Sequence, residues 1–403
     1  MRILSFTTLY PNAMQPIHGV FVENRLRHLA ATGKVELKVV APVPWFPFSG
    51  RWAGRYGVYA TVPRQETRHG ITVEHPRYPI VPKIGMTVAP ILLALSQRAT
   101  IARIIREGYD FDVLDAHYFY PDGVAAALLG HWFNKPVVIT GRGTDLSHIP
   151  AFNLPRRQIQ WAAARAAGMI TVCQALKDSL VDLGVADDRV TVLRNGVDLE
   201  AFRRLSDSER TAAREKYGLS RFALGSVGHL VERKGHHLVI EALRELPSAQ
   251  LIIAGGGPEH HRLMSLAQAQ GVADRVRLLG VVPHSELPNL YGALDALVLA
   301  SSREGWANVL LEAMACGTPV VASRIWGTPE VVSEPAAGVL MPERSGAGVA
   351  AGVKTLMAAM PNRAATRSYA ERFSWDATTE GQLGLFSAIM ARRLPPNVET
   401  ATV

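Results

Sequence analysis

Short apolar runs alternate along the chain with segments in which apolar residues recur at helical spacing, and this pattern predicts strands and helices in turn. The first strand is expected at residues 2–8, a helix at 21–31 and the second strand at 35–41. Later apolar runs continue the pattern at residues 111–116, 136–140, 169–172, 190–193, 222–227, 250–254, 276–279, 294–300, 320–322 and 338–342. Strands separated by helices pair in parallel, so the pattern predicts an α/β fold with Rossmann-like parallel sheets.

The pattern begins again near residue 222, after the polar stretch 203–215, and this restart predicts two domains. A chain of 403 residues has an ordinary length for two. We place the first domain at residues 1–200 and the second at residues 201–375, and we expect a disordered tail at residues 394–403.

Residues 301–323 combine a polar turn, a helix pattern and a short buried strand. Asn308 suits the N-cap of a helix at Asn308–Cys316, because its side-chain oxygen can accept a free backbone N–H. Gly317 suits the left-handed position that closes a helix, and Pro319 prevents its continuation. The free N–H groups and the dipole at the start of this helix favour an anionic ligand.

Two carboxylates accompany this predicted anion site, Glu304 in the turn and Glu312 just past the first helical turn. Carboxylates are useful beside an anion when the ligand also carries hydroxyl groups, and a nucleotide sugar has a pyrophosphate, a ribose diol and a sugar ring. Alternatively, Glu312 only complements the helix dipole and Glu304 is a solvated loop residue. The two residues alone leave both interpretations open.

Other strands of the second domain also end in turns of a ligand-binding type, at residues 228–235, 255–258 and 280–283. The first of these turns contains Arg233 and Lys234, adjacent cations suited to neutralising a pyrophosphate leaving group, although an exposed basic pair is also common. The carboxyl ends of parallel strands lie at one edge of a sheet, so these loops are expected to converge with residues 301–323. Together they predict a nucleotide-diphosphate site.

In the first domain, His117 stands at the carboxyl end of a predicted strand, where open α/β sheets place ligands. A lone histidine is more often structural, and the strand alone does not decide between the two roles. The polar loop Gly141–Asp145 follows the next strand and is expected to line the same site. Gly19 precedes the first helix without a G-x-G-x-x-G sequence, which disfavours a dinucleotide cofactor.

Glu304 and Glu312, with seven residues between them and followed by Ala-Met-Ala-x-Gly-x-Pro-Val-Val, resemble the signature of family 4 of the retaining GT-B glycosyltransferases. The resemblance covers nearly the whole chain. It implies two Rossmann-like domains that face a cleft, with a last helix at residues 376–393 that packs back on the first domain. The chain departs from the family at Trp306-Ala307, where Phe-Gly is usual, and at His229, where Arg is usual. These departures bear on donor preference and on one phosphate contact.

The resemblance also implies roles for residues at the matching positions. Glu304 is expected to contact the donor sugar, and Glu312 the donor ribose. Catalytic roles are expected for His117, Lys234 and Glu304. Acceptor-side roles are expected for His117, within an Asp-x-x-x-Ala-His pattern that begins at Asp112, and for Arg142 and Asp145. The donor-binding residues are expected to be Gly19, Gly228, Arg233, Lys234, Gly256, Gly257, Val282, Glu304, Gly305, Trp306, Ala307, Asn308, Val309 and Glu312.

The implied reaction moves a sugar from a UDP- or GDP-linked donor to an acceptor with retained anomeric configuration. The expected acceptor is a lipid-linked or polysaccharide chain of cell-surface or exopolysaccharide biosynthesis. No cofactor and no metal are expected, because the chain lacks an Asp-x-Asp ligand pair at this site and has protein cations instead.

Two rival classes share the two-domain plan. One is a nucleotide-sugar epimerase or a phosphorylase, although a phosphorylase of this build needs a lysine for pyridoxal phosphate near the C-terminal end, and Lys354 is the last lysine. The other is a non-catalytic nucleotide-sugar-binding subunit, against which the intact Glu304, Glu312, Lys234 and His117 argue.

Charge and composition predict where the protein is located and indicate a basic region in the first domain. Two cysteines and no signal-peptide layout fit the cytoplasm, and no uninterrupted apolar run has the ~20 residues of a transmembrane helix. Residues 51–106 hold nine Lys or Arg and two acids, which gives +7 of the net charge of +8. This region is expected to be either a solvated basic surface or a face for anionic lipid or an anionic acceptor, and nucleic acid is disfavoured because no nucleic-acid motif accompanies it.

Overall fold

The computed structural model describes residues 1–46, 54–80 and 85–392. These residues form two compact units. The first unit comprises Met1–Leu193 and the described residues that follow Trp375, and the second comprises Arg194–Trp375. The chain therefore enters the second unit a few residues before the predicted boundary at residue 200. The tail predicted at residues 394–403 lies outside the described residues.

The strands of the first unit are short and mostly buried, as expected for apolar runs covered on both faces of a sheet. In chain order they are β1 Arg2–Phe6, β2 Glu36–Val40, β3 Val43–Pro44, β4 Gln65–Arg68, β5 Ile71–Glu74, β6 Arg77–Tyr78, β7 Val113–His117, β8 Val137–Gly141, β9 Gly168–Thr171 and β10 Val190–Val192. Eight of these described strands form one sheet in the order β10-β9-β8-β7-β1-β2-β5-β4, and β3 pairs with β6. Within this sheet only β4 pairs antiparallel, with β5.

Helices connect most of these strands. They are α1 Val20–Ala31, α2 Gly54–Thr61, α3 Gly85–Arg106, α4 Val124–Phe133, α5 Thr144–Ser147, α6 Asn153–Arg165 and α7 Gln174–Asp182. Helix α4 packs closely on one face of the sheet: a Cβ at Gly130 would lie 2.2 Å from Cγ2 of Val137. The sequence pattern gave no prediction for α2 or for the strands β3 to β6.

The described strands of the second unit are β11 Phe222–Val227, β12 Ala249–Ala254, β13 Val276–Gly280, β14 Ala296–Leu299, β15 Val320–Ser323 and β16 Gly338–Met341. They form one fully parallel sheet in the order β13-β12-β11-β14-β15-β16. The helices of this unit are α8 Asp207–Lys216, α9 His236–Ala242, α10 His260–Ala269, α11 Leu287–Ala293, α12 Asn308–Ala315, α13 Thr328–Val331, α14 Gly346–Ala358 and α15 Arg363–Ala370. The strands predicted near residues 222, 250, 276, 294, 320 and 338 are confirmed to within two residues at either end.

The last described helix, α16 Trp375–Ala391, belongs to the first unit. Leu383, Phe386 and Ile389 join the same buried cluster as Val113 of β7 and Val138 of β8. Side chains alternate between the faces of a strand. Val137 and Val138 therefore face opposite sides, so α16 covers the face of the sheet opposite to α4.

Each unit has one strand at which the strand order reverses. Strand β1 pairs with β2 on one side and β7 on the other, and β11 pairs with β12 and β14. Open parallel sheets bind ligands at the carboxyl ends of the strands beside such a reversal. The topology thus indicates that the loops after β1 and β7, and those after β11 and β14, are the candidate ligand-binding loops.

Helix α3 is long and apolar enough to cross a membrane, judged by length and composition alone over Met86–Arg106. The apolar run over this helix is interrupted by Gln97, Arg98 and Arg103, and the core helix of a globular protein passes the same test.

The described arginines of the basic region at residues 51–106 differ in their contacts. Arg68 donates to Glu23 at 2.5 Å, and Arg103 pairs with Glu74 on strand β5. These contacts neutralise part of the charge. Two of the counted basic residues lie outside the described residues: Arg51 and Lys83.

Candidate functional site

The loops after β11 and β14 meet at the strand reversal of the second unit through a charged pair. Nζ of Lys234 lies 2.5 Å from Oε1 of Glu304, and the hydroxyl of Ser301 donates to the same oxygen at 2.7 Å. The two side chains are only 15% and 12% exposed. A cation and a carboxylate are thus held together at the edge of the sheet where the topology predicts a ligand.

Gly235 brings these two loops into contact. It has φ of 72°, and a Cβ there would lie 2.1 Å from the carbonyl oxygen of Ala300 at the end of β14. The backbone N–H of Ser302 donates to the carbonyl of Arg233 at 2.8 Å. Only glycine combines the left-handed conformation with this close approach, so Gly235 fixes the position of Lys234 next to Glu304.

Helix α12 starts beside this pair, but not with the predicted cap. Ala307 is the capping residue, and Asn308 is the first helical residue. Oδ1 of Asn308 accepts from Nδ2 of Asn195 at 3.3 Å, and Nε1 of Trp306 donates to the carbonyl of Asn195 at 3.1 Å. The N-cap prediction is wrong because Asn308 uses its side chain to hold residue 195 instead of the helix start.

Glu312 lies one turn into α12 and is partly buried. The hydroxyl of Tyr291, on α11, donates to its Oε2 at 3.1 Å. Burial raises the pKa of Glu312 to about 7, against the smaller lowering effect of the Tyr291 hydrogen bond. Helical side chains point back towards the N-terminus of their helix. The carboxylate is therefore directed towards the start of α12, the end nearest Glu304.

The remaining predicted donor residues of the second unit also stand at this edge, because each follows the carboxyl end of a parallel strand or begins α12. Arg233 is exposed, whereas Trp306 and Ala307 are buried. The other members of the set are Gly228, Gly256, Gly257, Val282, Gly305 and Val309. Gly19 lies in the first unit, just before α1, with φ of 73°, and a Cβ there would lie 2.4 Å from the carbonyl oxygen of Leu9.

In the first unit, His117 ends strand β7 and its side chain is completely buried. Nη2 of Arg142 lies 2.7 Å from Nδ1 of His117 and must be the donor, because a guanidinium has no acceptor. The ring proton is therefore on Nε2, which lies 3.2 Å from Oδ2 of Asp115. Burial lowers the pKa of His117 to about 4, and the Arg142 cation adds to this although Asp115 opposes it. The ring is therefore neutral, with the Arg142 guanidinium on Nδ1 and the Asp115 carboxylate close to Nε2.

Asp145 holds the loop that follows β8. It is fully buried and accepts from the backbone N–H groups of Phe119 at 2.6 Å and Gly143 at 2.7 Å. Burial raises its pKa. Arg142 is 8% exposed. His117, Arg142 and Asp145 are thus buried and held by protein contacts, and the acceptor-side role expected for them stays a prediction.

Several residues of these two clusters were not predicted. Gln382 of α16 donates to Asp115 at 3.0 Å and accepts from Arg25 of α1 at 3.0 Å. Asp122 accepts from the backbone N–H of Thr8 at 2.7 Å, and burial raises its pKa to about 7.

Asp112, the first residue of the quoted Asp-x-x-x-Ala-His pattern, lies at the other end of the strand, where it accepts from the backbone N–H of Arg2. Asp115 is the carboxylate beside the histidine. One signal was available in the sequence: residues two apart in a strand share a face, so Asp115 and His117 had to point the same way.

Two family profiles match the chain. The profile described as glycosyl transferases group 1 matches residues 209–373, and that of Glycosyltransferase Family 4 matches residues 19–201. The D-inositol 3-phosphate glycosyltransferase of Acidothermus cellulolyticus is 30% identical over 360 residues, which cover 82% of this chain and 79% of that protein. The chain is a family 4 glycosyltransferase. The family predicted from Glu304, Glu312 and the residues after them is thereby confirmed.

This family 4 glycosyltransferase is also similar to TuaC of Bacillus subtilis, whose name assigns it to teichuronic acid biosynthesis. The two chains are 28% identical over 333 residues, which cover 81% of this chain and 82% of TuaC. Among solved structures, HepE of Anabaena in complex with UDP is 21% identical, with a TM-score of 0.73 over 96% of this chain and 100% of HepE. The likeness confirms the predicted GT-B fold.

Proposed function

We propose that this glycosyltransferase takes a sugar from a UDP-linked donor and transfers it, with retained anomeric configuration, to a hydroxyl group of a lipid-linked or polysaccharide acceptor. The observation that carries the proposal is the Lys234–Glu304 pair at the strand reversal of the second unit, next to the start of α12. The choice of UDP is supported by HepE, which shares the fold and whose structures hold UDP and UDP-glucose.

The charges suit a nucleotide diphosphate sugar. An ammonium group has three N–H donors, so Lys234 can keep its bond to Glu304 and still donate to a phosphate oxygen. The free N–H groups at the start of α12 favour the same anion. These groups stabilise the leaving phosphate most strongly when its bond to the sugar breaks and its charge rises, which is the condition for acceleration.

The two carboxylates would then bind the two hydroxyl-bearing parts of the donor. Glu304 can accept from a sugar hydroxyl because Lys234 and Ser301 occupy only one of its oxygens, Oε1. Glu312, directed towards the start of α12 and held by Tyr291, would accept from the ribose diol. In this proposal no metal is needed, because Lys234 supplies the positive charge beside the diphosphate.

The retained configuration is proposed from the family resemblance. Retaining members of the family lack a convincing enzymic nucleophile, so we propose a direct substitution on one face of the sugar. The acceptor oxygen attacks the anomeric carbon on the face that the phosphate leaves, and the departing phosphate oxygen takes the acceptor proton. His117 is not the base in this scheme, since its Nδ1 accepts from Arg142 and its side chain is completely buried. Its role is to hold the loops of the first unit.

The test is incubation of the purified chain with UDP-glucose, UDP-galactose, UDP-N-acetylglucosamine, GDP-mannose and GDP-glucose, with and without a membrane extract as acceptor. We expect nucleotide diphosphate release from a UDP-sugar in the presence of EDTA, and an NMR coupling at the anomeric proton of the product equal to that of the donor.

Each rival class gives a different readout in that panel. Interconversion of the sugar on intact UDP indicates an epimerase, and sugar phosphate formed with inorganic phosphate indicates a phosphorylase. Binding without turnover of any donor indicates a non-catalytic subunit and contradicts the proposal.

A further inference from the structure

Large apolar side chains of the first unit are exposed along the first half of α3 and at the start of α6. They are Met86, Ile91 and Leu95 of α3, which are 41%, 45% and 54% exposed, and Phe152 and Leu154 at the start of α6, which are 42% and 53% exposed. We refer to these five side chains as the apolar patch. Single exposed apolar residues are ordinary, but a group of them on adjoining elements points to a partner.

The starts of α3 and α6 are fastened to each other. Nε2 of Gln158 on α6 donates to the carbonyl of Thr87 on α3 at 3.1 Å. The hydroxyl of Tyr120 contacts both Gln158 and the carbonyl of Met86. The start of α3 therefore lies beside the second turn of α6, and we treat the apolar patch as one surface of the first unit.

Each helix carries the same order of side chains along its exposed face. On α3, Ile91 and Leu95 are followed by Arg98, with spacings of four and three residues. On α6, Leu154 is followed three residues later by exposed Arg157. Residues three and four apart lie on one face of a helix. The outward face of each helix thus runs from apolar at its start to cationic one or two turns later.

The charged side chains of the helices on this side are all basic, although Arg103 is paired with Glu74 and Glu107. Helices α3, α4 and α6 contain no aspartate or glutamate, and their basic residues are Arg98, Arg103, Arg106, Arg156, Arg157 and Arg165. Two of these arginines lie over partly exposed tryptophan rings: Arg98 is 5.5 Å from the centre of Trp132, and Arg165 is 4.4 Å from that of Trp161. The acids nearest in the chain are the buried Asp122 and Asp145, or follow the far end of α3 at Glu107.

We propose that the apolar patch and its arginines dock the first unit on an anionic lipid surface. Apolar side chains, tryptophans and arginines on helices that lie along a surface are the features of interfacial membrane binding. A second copy of the chain fits less well, because a symmetric contact through this side would bring arginines against arginines.

The position of the patch suits a lipid-linked acceptor. The loop Gly141–Asp145 leads directly into α5, and Phe152 follows a few residues later, so the patch adjoins the loops at the carboxyl edge of the first sheet. The inference rests on the proposed function only in this respect, because a lipid-linked acceptor presents its sugar at the membrane surface. Docking itself requires no donor.

Vesicle flotation tests the proposal without any enzymatic step. Vesicles of phosphatidylcholine alone are compared with vesicles containing about 30% phosphatidylglycerol, at ionic strengths of about 0.1 M and 1 M. We expect the chain to float with the anionic vesicles, to remain unbound with neutral ones and to be released in part at high salt. The double variants Ile91→Ser/Leu95→Ser and Arg98→Glu/Arg157→Glu should each partition about tenfold or more weakly.

Matched controls come from the second unit. Met264→Ser/Met357→Ser removes two methionines that are 39% and 38% exposed, and Arg244→Glu reverses an exposed arginine. These variants should float like the wild type.

Equal flotation of all variants, or no flotation of the wild type, overturns the proposal. Concentration-dependent dimerisation that Ile91→Ser/Leu95→Ser abolishes, without vesicle binding, assigns the patch to a second copy and also overturns it. Since flotation and nucleotide release are measured separately, loss of one does not obscure the other.

Discussion

The carboxyl edges of the two sheets both gather charged residues at a strand reversal, yet the two clusters are used in different ways. In the second unit, Lys234 and Glu304 lie in loops and keep 15% and 12% of their side chains exposed. In the first unit, Asp115 and His117 lie within a strand and are fully buried, and Nδ1 of His117 accepts from Arg142. The same topological position therefore holds a partly accessible charged pair in one unit and a fully buried cluster in the other.

The difference arises from what covers each edge. In the second unit, Gly235 allows a loop to pass over the end of β14 and carry Lys234 to the surface. In the first unit, α1 and α16 cover the sheet and contribute Arg25 and Gln382 to the cluster. A buried charge needs such partners, because removing it from water without compensation is costly.

The strongest test of this difference between the two clusters removes the cation of the second unit. Lys234→Ala should lower turnover roughly 10²–10³-fold, the scale of losing one preorganised charge-stabilising group. Steady-state kinetics with the donor found in the panel measures this. Lys216→Ala is the control, because Lys216 is also paired with a glutamate, Glu286, but lies away from the site. Unchanged turnover in Lys234→Ala would remove the central residue of the proposal.

The second test removes the corresponding group of the first unit. His117→Ala leaves the buried Arg142 without its contact to Nδ1 and should lower the free energy of unfolding by about 2–4 kcal/mol. Affinity for UDP should be retained. Urea denaturation and calorimetry measure the two quantities, with His131→Ala at an exposed position of α4 as control. Wild-type stability combined with lost turnover would instead give His117 a direct catalytic contact.

The third and smallest effect separates the two carboxylates of the second unit. Glu312→Gln should weaken binding of free UDP about tenfold, the scale of one hydrogen bond to a charged group. Glu304→Gln should leave UDP affinity nearly intact and lower transfer, because free UDP carries no sugar for Glu304 to contact. Isothermal titration calorimetry with UDP decides the matter, and an equal loss of affinity in both variants would show that the two roles are not distinct.

The sequence pattern predicted the parts of the molecule that depend on local order. Local sequence patterns indicated the buried strands, the glycine turns and the acidic pair around α12, because each of these is encoded within a short segment. The contact of Gln382 with Asp115 joins residues 267 positions apart. No periodicity indicates that such a side chain will reach a buried histidine.

The prediction of Asn308 as the N-cap of α12 failed for a related reason. Asn308 has the right chemistry for a cap, but Asn195, more than a hundred residues earlier, provides a competing partner for its side chain. The burial of Arg142 and Asp145 was likewise not predicted, because polar residues in a loop suggest exposure to solvent until the covering elements are known. Local propensity is a weak guide wherever tertiary contacts compete with it.

The division of the first unit into two segments has a consequence for the order in which the chain folds during synthesis. Its sheet is complete by residue 193, but Leu383, Phe386 and Ile389, which join the same buried cluster as Val113 and Val138, are made only after the whole second unit. Domains generally fold as units while the chain is elongated. On the ribosome the second unit can therefore finish first, and the first unit waits with an apolar face uncovered until residues 376–391 emerge.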